Sequence, residues 1–384
     1  MPTATDSRVP DDVWALSWPE QLDWFSHLIL THDALTVVSR ELQTIMQPPV
    51  VQPLVFLVGP SGVGKSTLLT KLVTKVYHEA MSGMEADPSW IPVTGVELVA
   101  PDSGTFDWLD FYRRSLQALR EPLIDKKSFP KLPRPRDPKR EWRACFEDAL
   151  KYRRPEFFFI DEAQHLLKIR RRNAIDQTDS LKSLVSHTRV PLLLTGTYDV
   201  LDLVDLSEQL GRRGQVRHFP RYDVSNATDR KEFQTFILTV QTHLPFKVQP
   251  DLVRHWRYLY QQTLGVCGVL HDWVIAASKL AHAEQAPLAL EHLERTERRW
   301  TTVETAYKEI VKGEQKMQTA IATRDRLARE LGLRKAAAPE SPPPPHQAET
   351  DQSQSSAKAN AKASKKKPGQ RKPSRDPVNP LSPA

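Results

Sequence analysis

LVFLVGPSGVGKSTLL, residues 54–69, is the stretch from which the rest of the chain can be read. Five apolar residues run into a loop holding Gly59, Gly62 and Gly64, and Lys65 opens what reads as a helix. Gly59 to Ser66 fits the spacing G-x-x-x-x-G-K-[ST], followed by Thr67. A backbone that curls in this way points successive N–H groups at phosphate oxygens, and the helix N-terminus adds its dipole. Lys65 can reach β- and γ-phosphates, and the Ser66 hydroxyl can ligate Mg²⁺. Gly59, Pro60, Ser61, Gly62, Val63, Gly64, Lys65, Ser66 and Thr67 are therefore the candidate nucleotide-binding residues.

Downstream, FFFIDEAQHL (157–166) sets four apolar residues before two acids. A buried strand delivering carboxylates at its C-terminal edge has this form. Asp161 would hold Mg²⁺, and Glu162 would orient or deprotonate an attacking water. Strand alternation lets adjacent acids take different roles. A third apolar run, VPLLLTGTYD (190–199), ends in Thr195 and Thr197, each a candidate for contact with the γ-phosphate or its water. QLGRRGQVRHFPRY (209–222) then offers Arg212 and Arg213, whose fixed guanidinium fork suits transition-state charge supplied from a neighbouring subunit. Together these motifs indicate a nucleoside triphosphatase. ATP and Mg²⁺ are the expected ligands, and no NKxD-like guanine-reading motif is present.

Around this centre the chain divides into four zones. Residues 1–50 read as a polar lead-in followed by helices, closed by Pro48-Pro49. Their aromatic and apolar positions are expected to pack on the core or on a neighbour. Residues 51–225 alternate apolar runs (PLVFLVG, IPVTGVELV, EFFFID, VPLLLTG) with helix-like segments such as 65–79, 108–119 and 141–152. Runs without clean alternation suit strands buried on both faces, and their alternation with helices predicts a parallel α/β sheet. Residues 226–333 show helical spacing only, ending in one or two long helices from about 288 to 331. Residues 334–384, rich in Pro, Ser, Ala and Lys, lack the apolar content to offset ordering entropy and read as disordered.

The chain has 384 residues and a net charge of +7. Lys358 to Arg375 holds eight Lys/Arg and no acid, so without it the net charge is −1. The basic character belongs to the tail. Two cysteines, Cys145 and Cys267, are too few for a disulfide framework or a four-thiolate zinc site, which points to a reducing, cytoplasmic compartment. No apolar run is long enough to span a bilayer and MPTATDSRVPDD lacks the form of a secretion signal, so no membrane partner is expected. KIRRRN places Lys168, Arg170, Arg171 and Arg172 just after the acidic strand, where they could follow a phosphate backbone without reading sequence. Lys182 is a further candidate for the same surface.

The order THDALTVVSRELQTIMQPP, VFLVGPSGVGKSTLL, FDWLDFYRRSLQALREP, FFFIDEAQHLL, LLLTGTYDVLDL, QLGRRGQVRHFPRYDV resembles the AAA+ ATPases, and within them the TnsC/TniB transposition regulators, over roughly residues 18–300. That resemblance implies a RecA-like αβα core with a small helical lid. It implies ATP-bound homo-oligomers, rings or helical filaments, on double-stranded DNA, linking a TniQ-like targeting factor to a transposase. Under it, Arg212 or Arg213 would be the trans finger and Thr195 or Thr197 the sensor. GVCGVLHDW (265–273) has no arginine at the usual second-sensor place, leaving His271 or no residue there. Origin-recognition-type loaders resemble the chain in similar places, and a nucleotide-gated scaffold with little hydrolysis is the third reading. Glu162 argues for turnover, since a binding-only module has no use for it.

Overall fold

Leu54–Val58 form strand β1, and all five residues are buried. The computed structural model describes residues 8–101, 104–122, 124, 138–167, 174–205 and 214–332. β1 lies inside a parallel sheet with β2 (Val93–Glu97), β3 (Phe157–Asp161), β4 (Leu192–Gly196) and β5 (Gly214–His218), in the order β2-β3-β4-β1-β5. Register runs Leu54 beside Leu192 and Gly214, and Phe158 beside Leu192.

The apolar runs are continuous because both faces of the sheet are covered. Leu54, Phe56 and Val58 face one layer, together with Phe158, Ile160, Leu192 and Leu194. This layer holds residues of α5 (Trp108–Ala118), α6 (Pro138–Arg153), α7 (Ala174–Thr188) and α8 (Val200–Asp205). Val55, Leu57 and Leu193 face the other layer, built on α3 (Asp33–Met46) and α4 (Lys65–Ala86). The αβα architecture expected from the sequence is thus present. Two of the helices extend beyond their sequence estimates, with α4 running to Ala86 and α6 starting at Pro138, while α5 ends at Ala118.

β5 was not expected from the sequence. GQVRH holds a single large apolar residue, and every position of this edge strand is half-buried, so it lacks the pattern that marks the inner strands.

The lid is helical: α9 (Ala227–His243), α10 (Trp256–Thr263), α11 (Cys267–Ala283) and α12 (Leu290–Arg295) bury Phe233, Ile237, Leu259, Leu270, Trp273 and Leu293 together. α1 (Asp11–Trp14) precedes α2 (Trp18–His27), and Leu22 and Phe25 of α2 join this lid cluster. The helical pattern from 288 to 331 is broken at Thr296–Arg299, so α12 is separate from α13 (Trp300–Glu330). The break is pinned from outside. Glu297 accepts hydrogen bonds from Tyr258 (2.7 Å) and Gln262 (3.1 Å), and Arg298 donates to the Gln262 carbonyl. α13 packs on more than the lid. Ile310 joins the α3–α4 side of the core, and Arg221 holds Glu314 through two hydrogen bonds (2.9 and 3.1 Å).

The chain forms two compact units, residues 1–328 and 329–384, and of the second only 329–332 are described. The basic tail read as disordered lies outside the described residues. Among the described residues no single helix is long and apolar enough to cross a membrane.

Candidate active site

β1 connects through α4 to β2 on one side of the sheet, and β4 connects through α8 to β5 on the other. Ligands of open parallel sheets sit beyond the carboxyl ends of strands where such connections diverge. The loop Gly59–Ser66 lies at that place. Gly62 and Gly64 take φ of 78° and 107°, in the left-handed region that residues with a Cβ rarely adopt. Val63 is buried and anchors the loop, while Ser61, Gly62, Ser66 and Thr67 form an exposed rim.

β4 separates β1 from β3, and so places Thr195 between the loop and the acidic strand end. Ser66 Oγ donates to Asp161 Oδ2 at 2.8 Å. Thr195, fully buried, donates from Oγ1 to Asp161 Oδ1, which also accepts the Glu162 N–H at 2.9 Å. A hydroxyl and a carboxylate thus converge as hard oxygen donors, the donor type that Mg²⁺ takes alongside phosphate oxygens. Lys65 is 6% exposed, and its Nζ donates to the Gly59 and Pro60 carbonyls at 3.0 and 2.9 Å. Burial brings its pKa down to about 8, partly countered by Glu162 and then Asp161. A desolvated ammonium whose hydrogen bonds go to neutral carbonyls fits an incoming anion, because a charged partner offsets the cost of its burial.

The cleft over the loop has a volume of about 340 Å³. Beside the loop and Glu162, its walls come from two segments far apart in sequence. Leu28, Ile29, Leu30, His32 and Leu35 belong to the N-terminal region, and Cys267, Gly268, His271 and Asp272 to the lid. The N-terminal segment was expected only to pack; it packs and also lines the cleft. Nothing in its composition marked this, since the contact is set by tertiary structure. His32 shares a 3.0 Å hydrogen bond with the Tyr222 hydroxyl through Nδ1, and burial with the Lys71 charge brings its pKa down to about 4. It is therefore neutral at physiological pH. The N-terminal end of α11 meets the phosphate loop directly: Gly268 N–H donates to the Gly62 carbonyl at 2.9 Å. His271 lies in the cleft wall with Nε2 3.2 Å from the Phe25 carbonyl.

Thr197, unlike Thr195, makes no hydrogen bond to Asp161; its N–H donates to Gln164 Oε1 at 3.2 Å. Lys182, a candidate for the phosphate backbone, is 7% exposed, and its ammonium lies 2.9 Å from Asp179 on the same helix. Lys168, Arg170, Arg171, Arg172, Arg212 and Arg213 lie outside the described residues.

Residues 51–204 match an AAA domain. The matched span holds the loop, the acidic pair and both threonines, while β5 and the lid lie beyond it. A search of curated proteins gave no match. By structure, the chain is similar to Cdc6p from Pyrobaculum aerophilum, with 15% identity over 75% of this chain and 70% of that one, at a TM-score of 0.47. It is also similar to the Aeropyrum pernix ORC1 protein, solved in complex with DNA (15% identity, 75% and 69% covered, TM-score 0.48). Domain III of the Thermotoga maritima replication initiation protein DnaA has 14% identity, 71% and 95% covered, and a TM-score of 0.42. These likenesses are of overall fold alone.

Proposed function

We propose that this chain is a Mg²⁺-dependent ATPase that assembles as a homo-oligomer on double-stranded DNA and regulates transposition, in the manner of the TnsC/TniB proteins it resembles. The observation that carries the enzymatic part is the convergence of Lys65, Ser66, Asp161 and Glu162 at one end of the sheet, with Ser66 Oγ 2.8 Å from Asp161 Oδ2. Bound Mg²⁺ would neutralise charge on the phosphates, held by Ser66 and Asp161. Thr195 keeps the Asp161 carboxylate fixed from the buried side. Lys65 exchanges its carbonyl partners for phosphate oxygens. Glu162 lines the cleft and accepts the proton of the attacking water. Leu28, Ile29, Leu30 and Leu35 offer an apolar wall for a nucleobase.

The DNA and transposition parts rest on the order of sequence elements through QLGRRGQVRHFPRYDV and on the basic segment at 168–172. In this reading Arg212 or Arg213 reaches a neighbour's γ-phosphate, and the assembly links a TniQ-like factor to a transposase. An origin-recognition-like loader shares the whole core and is the competing reading.

Hydrolysis measured with and without duplex DNA, in wild type and Glu162→Gln, tests the enzymatic part. Wild-type turnover in the variant would remove Glu162 from its role. Electron microscopy with duplex DNA and a non-hydrolysable ATP analogue tests assembly. A monomer that ignores DNA under those conditions would overturn the transposition reading.

A further inference from the structure

Gln164 belongs to the short 3-10 helix Ala163–Leu167 that follows β3, and its amide faces two ways. Nε2 donates to Glu162 Oε2, and Oε1 accepts the Thr197 N–H at 3.2 Å. Only one orientation of the amide satisfies both neighbours, because a carboxylate accepts and a backbone N–H donates. Space for it is set by Gly196. A Cβ there would lie 2.4 Å from Gln164 Oε1 and 2.6 Å from a Val200 methyl. Glu162 itself has φ of 55°, a left-handed conformation costly for a residue with a long side chain. The acid is thus held at both ends: its backbone N–H on Asp161, and one carboxylate oxygen on Gln164.

The geometry points to Gln164 as a positioning residue that fixes the Glu162 carboxylate and ties its orientation to the C-terminal end of β4. This deepens the ATPase reading and rests on it. The second oxygen of Glu162 accepts no hydrogen bond among the described residues and is left for water. The tie also has a mechanical consequence. Thr197 leads into Tyr198, whose hydroxyl lies 2.8 Å from His218 Nε2 on β5 and whose ring packs against Gly313 of α13. A displacement of the β4–α8 turn is therefore passed through one amide to the group that handles the proton.

Two substitutions of the full chain separate positioning from plain bracing. Gln164→Met keeps the volume and loses both hydrogen bonds. Gln164→Glu keeps an acceptor for Thr197 N–H but turns a like charge toward Glu162. Steady-state ATP hydrolysis, with and without duplex DNA, is compared with binding of a fluorescent ATP analogue and with Glu162→Gln. In both variants kcat should fall about tenfold or more, since small misplacement of a catalytic group costs up to about a hundredfold. KM and analogue affinity should stay within about threefold of wild type. Wild-type turnover in Gln164→Glu would show that the amide only braces the turn against β4, and overturns the inference. A rise in kcat in either variant, as expected of a brake, overturns it too. Normal turnover of Glu162→Gln would instead bring down the ATPase reading and this inference with it. A dead Glu162→Gln beside active Gln164 variants defeats the inference alone.

Discussion

Gly268→Ala sets two effects of opposite sign against each other. Gly268 is the second residue of α11, where helix propensity alone favours alanine over glycine by about 1 kcal/mol. The fold opposes this. A Cβ at 268 would lie 2.3 Å from the Gly62 carbonyl oxygen and 3.2 Å from the Gly62 carbonyl carbon, both backbone atoms of the phosphate loop. Ordinary contact begins near 3.4 Å, so loop and lid must separate by about 1 Å. The 2.9 Å bond from Gly268 N–H to Gly62 O then leaves hydrogen-bonding range. Losing it costs about 1 kcal/mol, and overpacking of this kind adds about 1–3 kcal/mol. The steric side wins, with a net loss of about 1–3 kcal/mol. Loop and lid both line the cleft, so nucleotide affinity should fall about tenfold for each 1.4 kcal/mol by which the bound arrangement is disfavoured. Urea unfolding would measure the first effect, and titration with a fluorescent ATP analogue the second. A more stable Gly268→Ala protein that binds the analogue as wild type does would refute the reasoning, because propensity would then act unopposed.

Thr195→Val keeps the shape of a fully buried side chain but takes one donor from Asp161; a loss of about 1–3 kcal/mol in chemical unfolding is expected, with a higher Mg²⁺ requirement for hydrolysis. Arg221→Met leaves the half-buried Glu314 without its partner and should cost about 2–4 kcal/mol; adding Glu314→Leu should recover at least half, as measured by denaturation of both proteins. For His32, a folded pKa of about 4, below the ordinary 6.5, means stability that is full above 6.5 and lost as pH falls through about 4. The loss between pH 7 and pH 5 should be about 2 kcal/mol, and unfolding of His32→Asn at the two pH values should show it reduced by that amount; His218, also lowered by burial, adds a change of the same sign to both proteins.

What was legible in the chain was what its chemistry requires to be contiguous. A loop that wraps phosphates must be made of successive N–H groups, so Gly59–Ser66 can be read as a string, and so can an apolar strand ending in Asp161 and Glu162. The three inner strands, β1, β3 and β4, were legible because both faces are covered, and the edge strand β2 through the apolar run around it. β5 was not, because an edge strand with a single large apolar residue has no such signature. The pattern from 288 to 331 carried no mark of the break at Thr296–Arg299, since the partners that hold it, Tyr258 and Gln262, are more than thirty residues away. The same holds for His32 and Gly268, whose places in the cleft wall depend on long-range packing. Thr195 and Thr197 were indistinguishable in TGT; β4 ends at Gly196, so Thr195 belongs to the strand and Thr197 to the turn, and they find different partners.

The segment between α2 and α3 explains how occupancy of the cleft can bear on the lid without a second-sensor arginine. Leu22, Phe25 and Leu30 are buried in the lid cluster, whereas Leu35, Val38 and Leu42 are buried against the sheet. The chain from 28 to 35 is therefore a bridge between the lid and the core, and the same residues line the cleft. Movement of the lid relative to the core must bend this bridge or strip Phe25 or Leu35 from its cluster, and fully burying one such side chain contributes about 1.5–3 kcal/mol. A ligand resting on Leu28–Leu35, Gly62 and Gly268 at once touches both sides of the hinge and the hinge itself. Its binding free energy opposes lid motion by whatever part of these contacts the open arrangement would lose. Coupling of this kind needs no charged finger from the lid. It needs only that the cleft be assembled from all three segments.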